Sequence, residues 1–87
     1  LTAMSPDSSI TVTGHTDDVP ISNGQFRDNW DLGAGRAASV VQAIQNTGLI
    51  SGDRLSAVSK GEMAPVADNN TAAGREQNRR IEIEISY

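Results

Sequence analysis

The chain has 87 residues, a formal net charge of -4 and no cysteine. This length fits one small domain, the acidic balance gives nucleic-acid binding no electrostatic support, and the lack of cysteine excludes disulfides and thiolate metal sites. No apolar run approaches the roughly 18 residues of a membrane span. We therefore expect membrane attachment only through segments outside this chain.

Hydrophobic periodicity and turn residues predict three strands and two helices. In chain order these are a strand over residues 10–13, a helix over 29–46, a strand over 55–59, a short helix over 71–78 and a strand over 81–86. Asn29 or Asp31 is expected to cap the long helix, Gly48 to end it, and Thr71 to cap the short one.

The order of these elements predicts a mixed sheet. The first strand, the long helix and the second strand form a βαβ unit, whose strands should be parallel. The last strand alternates Ile with Glu, which indicates one solvated face and favours an antiparallel member. The fold class is therefore α+β, with helices on one face. Residues 1–4 are expected to be the end of an earlier helix, so that residues 1–87 form a single, N-terminally incomplete domain.

An acid and an arginine stand at element ends of the βαβ unit. Asp17 follows the first strand, and Arg36 lies in the first turns of the helix. These positions can converge at the carboxyl end of the strand, where Asp17 would hold an ammonium and Arg36 a carboxylate of a zwitterionic ligand. Asn29, at the helix start, can donate and accept. The alternative is a structural ion pair that orders the loop.

The segment Asn78-Arg79-Arg80 allows three interpretations. It is a solvated edge with Arg80 paired to a glutamate, a nucleic-acid contact, or a segment from which one arginine turns inward to complete a polar site. The acidic balance argues against the second. Arg75 and Arg80 are expected to tie the last strand to the fold.

The remaining polar residues do not predict catalysis. His15 with Asp17 and Asp18 offers too few ligands in fixed geometry for a metal, and we expect His15 to hydrogen-bond locally. Ser56 and Ser59 have no nucleophile context. We expect no enzyme activity and no cofactor.

The chain resembles the OmpA-like peptidoglycan-binding domain, and most closely the subgroup at the C-terminal, periplasmic end of flagellar motor stator B subunits (MotB-type). The elements that carry the resemblance run in the family's order along nearly the whole chain. They are Gly14-His15-Thr16-Asp17, Asn29 with Leu32 and Arg36-Ala37, Arg54-Leu55-Ser56, Gly61 with Pro65, and Gly74-Arg75 with Asn78-Arg79-Arg80.

The resemblance implies a βαβαββ core whose first strand and most of whose first helix precede Leu1. It also implies noncovalent anchoring of a cell-envelope protein, of the motor stator type, to the wall of a Gram-negative-type bacterium. The partner is peptidoglycan, bound through the diaminopimelate residue of its stem peptide in the periplasm. By the same resemblance Asp17 takes the amino group and Arg36 the carboxylate. Further residues line the pocket, namely Thr16, Asn29, Leu32 and Arg79.

A second function fits the same residues. In that case the charges would only order loops. The domain would be a structural or dimerisation module of an envelope protein, forming a homodimer, and would not bind peptidoglycan directly.

Overall fold

Residues 8–87 are described here from a computed structural model; the helix end expected over residues 1–4 lies outside them. All five predicted elements are confirmed. In chain order they are strand β1 (Ser9–His15), helix α1 (Asn29–Asn46), strand β2 (Leu55–Gly61), helix α2 (Ala72–Asn78) and strand β3 (Ile81–Ser86). A 3-10 turn, Gly52–Arg54, precedes β2.

The three strands form one mixed sheet in the order β2-β1-β3. β1 is parallel to β2 and antiparallel to β3, with Val12 opposite both Ala57 and Ile83. The register shifts between Gly14 and His15, so that His15 lies opposite Gly61. The predicted α+β class, the parallel βαβ pair and the antiparallel last strand are all confirmed.

The core lies between the sheet and helix α1. α1 packs across β1 and β2. The buried apolar side chains come from β1, α1 and the loop between α1 and the 3-10 turn, and are Ile10, Val12, Ala37 and Ile50. β3 differs from the expectation of one solvated and one buried face: Ile83 is 55% exposed, because α1 packs on β1 and β2 and leaves β3 largely uncovered.

Neither predicted residue caps helix α1. Asp28 does so instead, because its extended backbone ends the preceding loop and its carboxylate accepts the Asp31 N–H at 2.9 Å. Asn29 and Asp31 are already inside the helix, so their side chains are used elsewhere. The other two predictions are confirmed: Gly48 has a positive φ of 75° just after the helix, and the Thr71 hydroxyl accepts the Gly74 N–H at 2.9 Å.

Two glycines allow α1 to lie directly on β1. A Cβ at Gly14 would overlap the backbone carbonyl of Gly33, and a Cβ at Gly33 would lie 3.0 Å from the Gly14 carbonyl oxygen. Both residues are buried. The strand and the helix therefore touch backbone to backbone, which fixes the start of α1 beside the carboxyl end of β1.

None of the helices within residues 8–87 combines the length and hydropathy needed to cross a bilayer.

We expect Gly14→Ala to destabilise the domain by about 2 kcal/mol or more, because the added methyl meets backbone that cannot move without displacing α1. Chemical denaturation of the purified chain measures this. Gly24→Ala is the matched control, since nothing lies within 4 Å of its Cβ position, and its free energy of unfolding should stay within about 1 kcal/mol of wild type. Equal stability of the two variants would contradict the backbone contact.

Candidate binding site

A cavity of about 450 Å³ opens beyond the carboxyl end of β1. It is bounded by the β1–α1 loop (residues 16–28), the first turns of α1, and helix α2. Its walls combine three charged and four apolar side chains, namely Asp17, Arg75 and Arg79 with Val19, Pro20, Ile21 and Leu32. The volume suits a small polar ligand or one residue of a larger one.

Asp17 is the acid of the cavity. It lies two residues beyond the end of β1, and its side chain is only 12% exposed. Oδ2 accepts a hydrogen bond from Arg79 Nη1 at 2.7 Å, and Oδ1 accepts the Val19 N–H at 3.0 Å. The carboxylate is thus held in a fixed orientation, with an arginine from the far end of the chain beside it.

Thr16 and Asn29 hold the backbone around that acid. Thr16 donates its N–H to the Gly61 carbonyl at 2.8 Å and its hydroxyl to the Asp17 carbonyl at 2.8 Å. Asn29 Nδ2 donates to the carbonyls of Asp17 at 3.2 Å and Val19 at 3.1 Å. Both side chains are buried and neither is among the residues that line the cavity. Their contribution in this structure is to shape the loop.

Leu32 and Arg36 occupy one face of α1, because residues four apart in a helix lie one turn above each other. Leu32 lines the cavity and Arg36 does not. Within residues 8–87 Arg36 has no ion pair or hydrogen bond. The structural ion pair considered between Asp17 and Arg36 is therefore not formed, because Arg79 takes that place.

Two of the three interpretations of the Asn78-Arg79-Arg80 segment apply, one to each arginine. Arg79 turns inward to Asp17, whereas Arg80 pairs with Glu82 at 2.6 Å and donates to the Ala64 carbonyl at 2.9 Å. The expected role of Arg80 in tying β3 to the fold is confirmed.

Asn78 is fully buried and organises the loop between β2 and α2. Its Oδ1 accepts the N–H groups of Val66 at 2.8 Å and Ala67 at 3.0 Å. Its Nδ2 donates to the Ala67 carbonyl at 3.0 Å and to Asn69 Oδ1 at 2.7 Å. A buried amide with this many partners fixes the loop against α2.

Arg75 is the site residue that the sequence analysis missed. It was expected to tie down β3, but it lines the cavity and donates from Nη1 to the Asn69 carbonyl at 2.9 Å. The sequence holds one indication that Arg75 belongs to the site. Arg75 and Arg79 are four residues apart, so they share a face of α2. The sequence analysis did not predict the apolar wall Val19-Pro20-Ile21 either.

His15 does not hydrogen-bond as expected. It is 3% exposed, and neither ring nitrogen has a hydrogen-bond partner in the described part of the chain. The Glu82 carboxylate lies 3.6 Å from Nε2, beyond hydrogen-bond distance. Burial lowers the pKa of His15 below its usual 6.5, the charge of Arg80 lowers it further, and Glu82 only partly opposes them. Residues 8–87 contain no cluster of His, Asp and Glu suited to a metal ion.

Comparison with protein families matches residues 1–79 to the OmpA family. The chain belongs to the OmpA family. Motility protein B of Bacillus subtilis is 39% identical over 85 residues, which are 98% of this chain and 33% of that protein. The peptidoglycan-binding protein ArfA of Mycobacterium tuberculosis is 36% identical over 81 residues, which are 93% of this chain and 23% of ArfA. This OmpA-family chain thus spans a third or less of these relatives.

Solved structures of the OmpA family share the fold. The C-terminal domain of Helicobacter pylori MotB matches with a TM-score of 0.88 at 32% identity, covering 97% of this chain and 63% of that one. The cell wall anchor of the T6SS from Pseudomonas aeruginosa matches with a TM-score of 0.83 at 36% identity, covering 93% and 55%. The resemblance to OmpA-like domains, and within them to MotB-type domains, is confirmed.

We expect the stability of the domain to fall as the pH drops below about 6.5, because the unfolded chain protonates His15 at a higher pH than the folded chain does. The contribution of His15 to the free energy of unfolding is fully present above the pKa of His15 in the unfolded chain. It is lost as the pH falls through the lower pKa of His15 in the folded chain. Urea denaturation at several pH values between about 7 and 5 measures the slope. His15→Gln removes the titrating group, and its curve should be flatter over this range. Parallel curves would show that His15 does not contribute.

Proposed function

We propose that this OmpA-family domain binds peptidoglycan noncovalently and anchors a cell-envelope protein, of the motor stator type, to the cell wall. The observation that carries the proposal is the cavity itself, in which one oriented carboxylate and two guanidinium groups stand beside an apolar wall. Two relatives support it by name, since ArfA is a peptidoglycan-binding protein and the Pseudomonas structure is a cell wall anchor. MotB periplasmic domains support a periplasmic or other envelope location.

The ligand chemistry follows from the charges. A carboxylate next to guanidinium groups suits a zwitterion, whose ammonium and carboxylate need opposite partners. The free end of diaminopimelate in the stem peptide carries both groups on one carbon. We assign its ammonium to Asp17, where it would share the carboxylate with Arg79.

Arg36 is assigned to the carboxylate of the same ligand end. It stands one turn beyond Leu32 on the helix face that borders the cavity. A side chain that makes no ion pair within residues 8–87 has its guanidinium available for a ligand. Leu32 would pack against the methylene chain of diaminopimelate, while Thr16 and Asn29 keep the loop in shape.

This is a binding activity and not a catalytic one. Polar residues around the cavity hold one another or the loop backbone, as Asp17 and Asn29 do. The relatives compared above are named for motility, binding or anchoring.

Asp17→Asn and Arg36→Gln should each weaken binding to purified sacculi about tenfold or more, because each removes a charged contact. Co-sedimentation over a range of sacculus concentrations measures the change. Asp18→Asn and Arg27→Gln are matched controls, since both residues are exposed and lie outside the cavity lining. If Asp17→Asn and Arg36→Gln pellet as well as these controls, the proposed clamp is wrong.

Free meso-diaminopimelate should raise the melting temperature of the wild-type chain. At 100 times its dissociation constant the ligand adds about 2.7 kcal/mol to the free energy of unfolding, which amounts to several degrees for a domain of this size. Asp17→Asn should show little shift and Asp18→Asn a normal one. A purely structural or dimerisation module would show no shift in any of the three proteins.

A further inference from the structure

The charges that line the cavity do not balance. Asp17 is paired with Arg79 at 2.7 Å, and its second oxygen is taken by the Val19 N–H. Arg75 lines the same cavity, and no carboxylate within residues 8–87 lies within ion-pair distance of it. Arg75 is therefore the uncompensated charge among the lining residues.

The Arg75 side chain is held in place by a chain of hydrogen bonds. Its Nη1 donates to the Asn69 carbonyl at 2.9 Å, and the Asn69 side chain accepts from the buried Asn78 at 2.7 Å. The neighbouring Gly74 lies so close to Asp68 that a Cβ would overlap the Asp68 carbonyl. Helix α2 and the loop before it are thus locked together, and Arg75 is oriented by that contact.

Only one donor of Arg75 is used in this way. Within the described residues its Nε and Nη2 groups have no hydrogen-bond partner, so the guanidinium retains donors in the planar arrangement that binds a carboxylate in bidentate fashion. The nearby apolar side chains of Val19, Ile21 and Leu32 reduce the screening of its charge.

A carboxylate fits this position better than a phosphate. Asp17 lies in the same cavity and would repel a doubly charged anion, but it attracts a neighbouring ammonium. The arrangement therefore favours a ligand whose carboxylate and ammonium are close together, and it disfavours the same ligand with the carboxylate converted to an amide, which has no charge to offer Arg75.

We propose that Arg75 binds the carboxylate at the free end of diaminopimelate and makes the cavity select stem peptides in which that carboxylate is not amidated. The inference rests on the proposed function and adds a specificity-determining residue to it. Arg36 and Arg75 hold the two oxygens of this group from different helices. A carboxamide keeps one acceptor oxygen for Arg36 but turns its NH2 group toward the donors of Arg75, so the discrimination depends on Arg75, which lines the cavity.

The test uses two synthetic tripeptides, L-Ala-γ-D-Glu-meso-diaminopimelate with the free-end carboxylate intact and the same peptide with that group as a carboxamide. Both keep the ammonium for Asp17. Titration calorimetry on the wild-type chain should show about tenfold tighter binding of the carboxylate form. In Arg75→Gln the two peptides should bind within about twofold of each other, mainly because the carboxylate form binds more weakly.

Arg27→Gln is the matched control, because it removes an exposed arginine outside the cavity and should keep the tenfold preference. Arg75→Lys retains the charge but loses the planar donor pair, so its preference should fall to about threefold. It also serves as the test variant if Arg75→Gln fails to fold, as judged by its thermal unfolding.

The possible outcomes separate the two proposals. If wild type binds both peptides equally, or if Arg75→Gln and Arg75→Lys keep the full preference, the inference is overturned while the proposed function stands. If wild type binds neither peptide, the proposed function fails and this inference with it. Loss of preference in the Arg75 variants alone, with the control unchanged, supports the assignment.

Discussion

The contact between Gly14 and Gly33 determines where everything else in the site can lie. Because the two backbones touch, the first turns of α1 stand directly beside the carboxyl end of β1. That closeness lets Asn29 reach the carbonyl of Asp17 and brings Leu32 to the wall of the cavity. The glycines lower the local stability of the helix and the strand. They also allow the two backbones to form a rigid junction at the point where the loop leaves the sheet.

Two buried amides hold the loops around the cavity in place. Asn29 fastens the loop that carries the acid, and Asn78 fastens the loop that faces helix α2. Each donates to carbonyls that no strand or helix could satisfy, so each supports irregular backbone inside the domain. The charged groups Asp17, Arg75 and Arg79 are then presented on a frame whose loops have little freedom.

The sequence predicted the architecture better than it predicted the partners. Periodicity together with turn and capping residues located the strands and helices of residues 8–87. Arg36 was expected beside Asp17, but Arg79 pairs with Asp17. The partner of a long, flexible side chain depends on where the tertiary fold places the element that carries it. That placement depends on the hydrogen bonds by which Asn78 fixes α2 to the preceding loop. No periodic pattern in the sequence indicates these bonds. Arg75 was missed although its spacing from Arg79 indicated a shared face.

The central position of β1 has a consequence for how the domain assembles. β1 spans residues 9–15, yet it pairs with residues 81–86 at the other end of the chain. Contacts between such distant segments require closure of a long loop before they give any stability, and folds that depend on them form slowly. During synthesis β1 lacks β3 as its neighbour, and Asp17 lacks Arg79 as its partner, until these later residues have left the ribosome. The cavity is therefore among the last features of the domain to form.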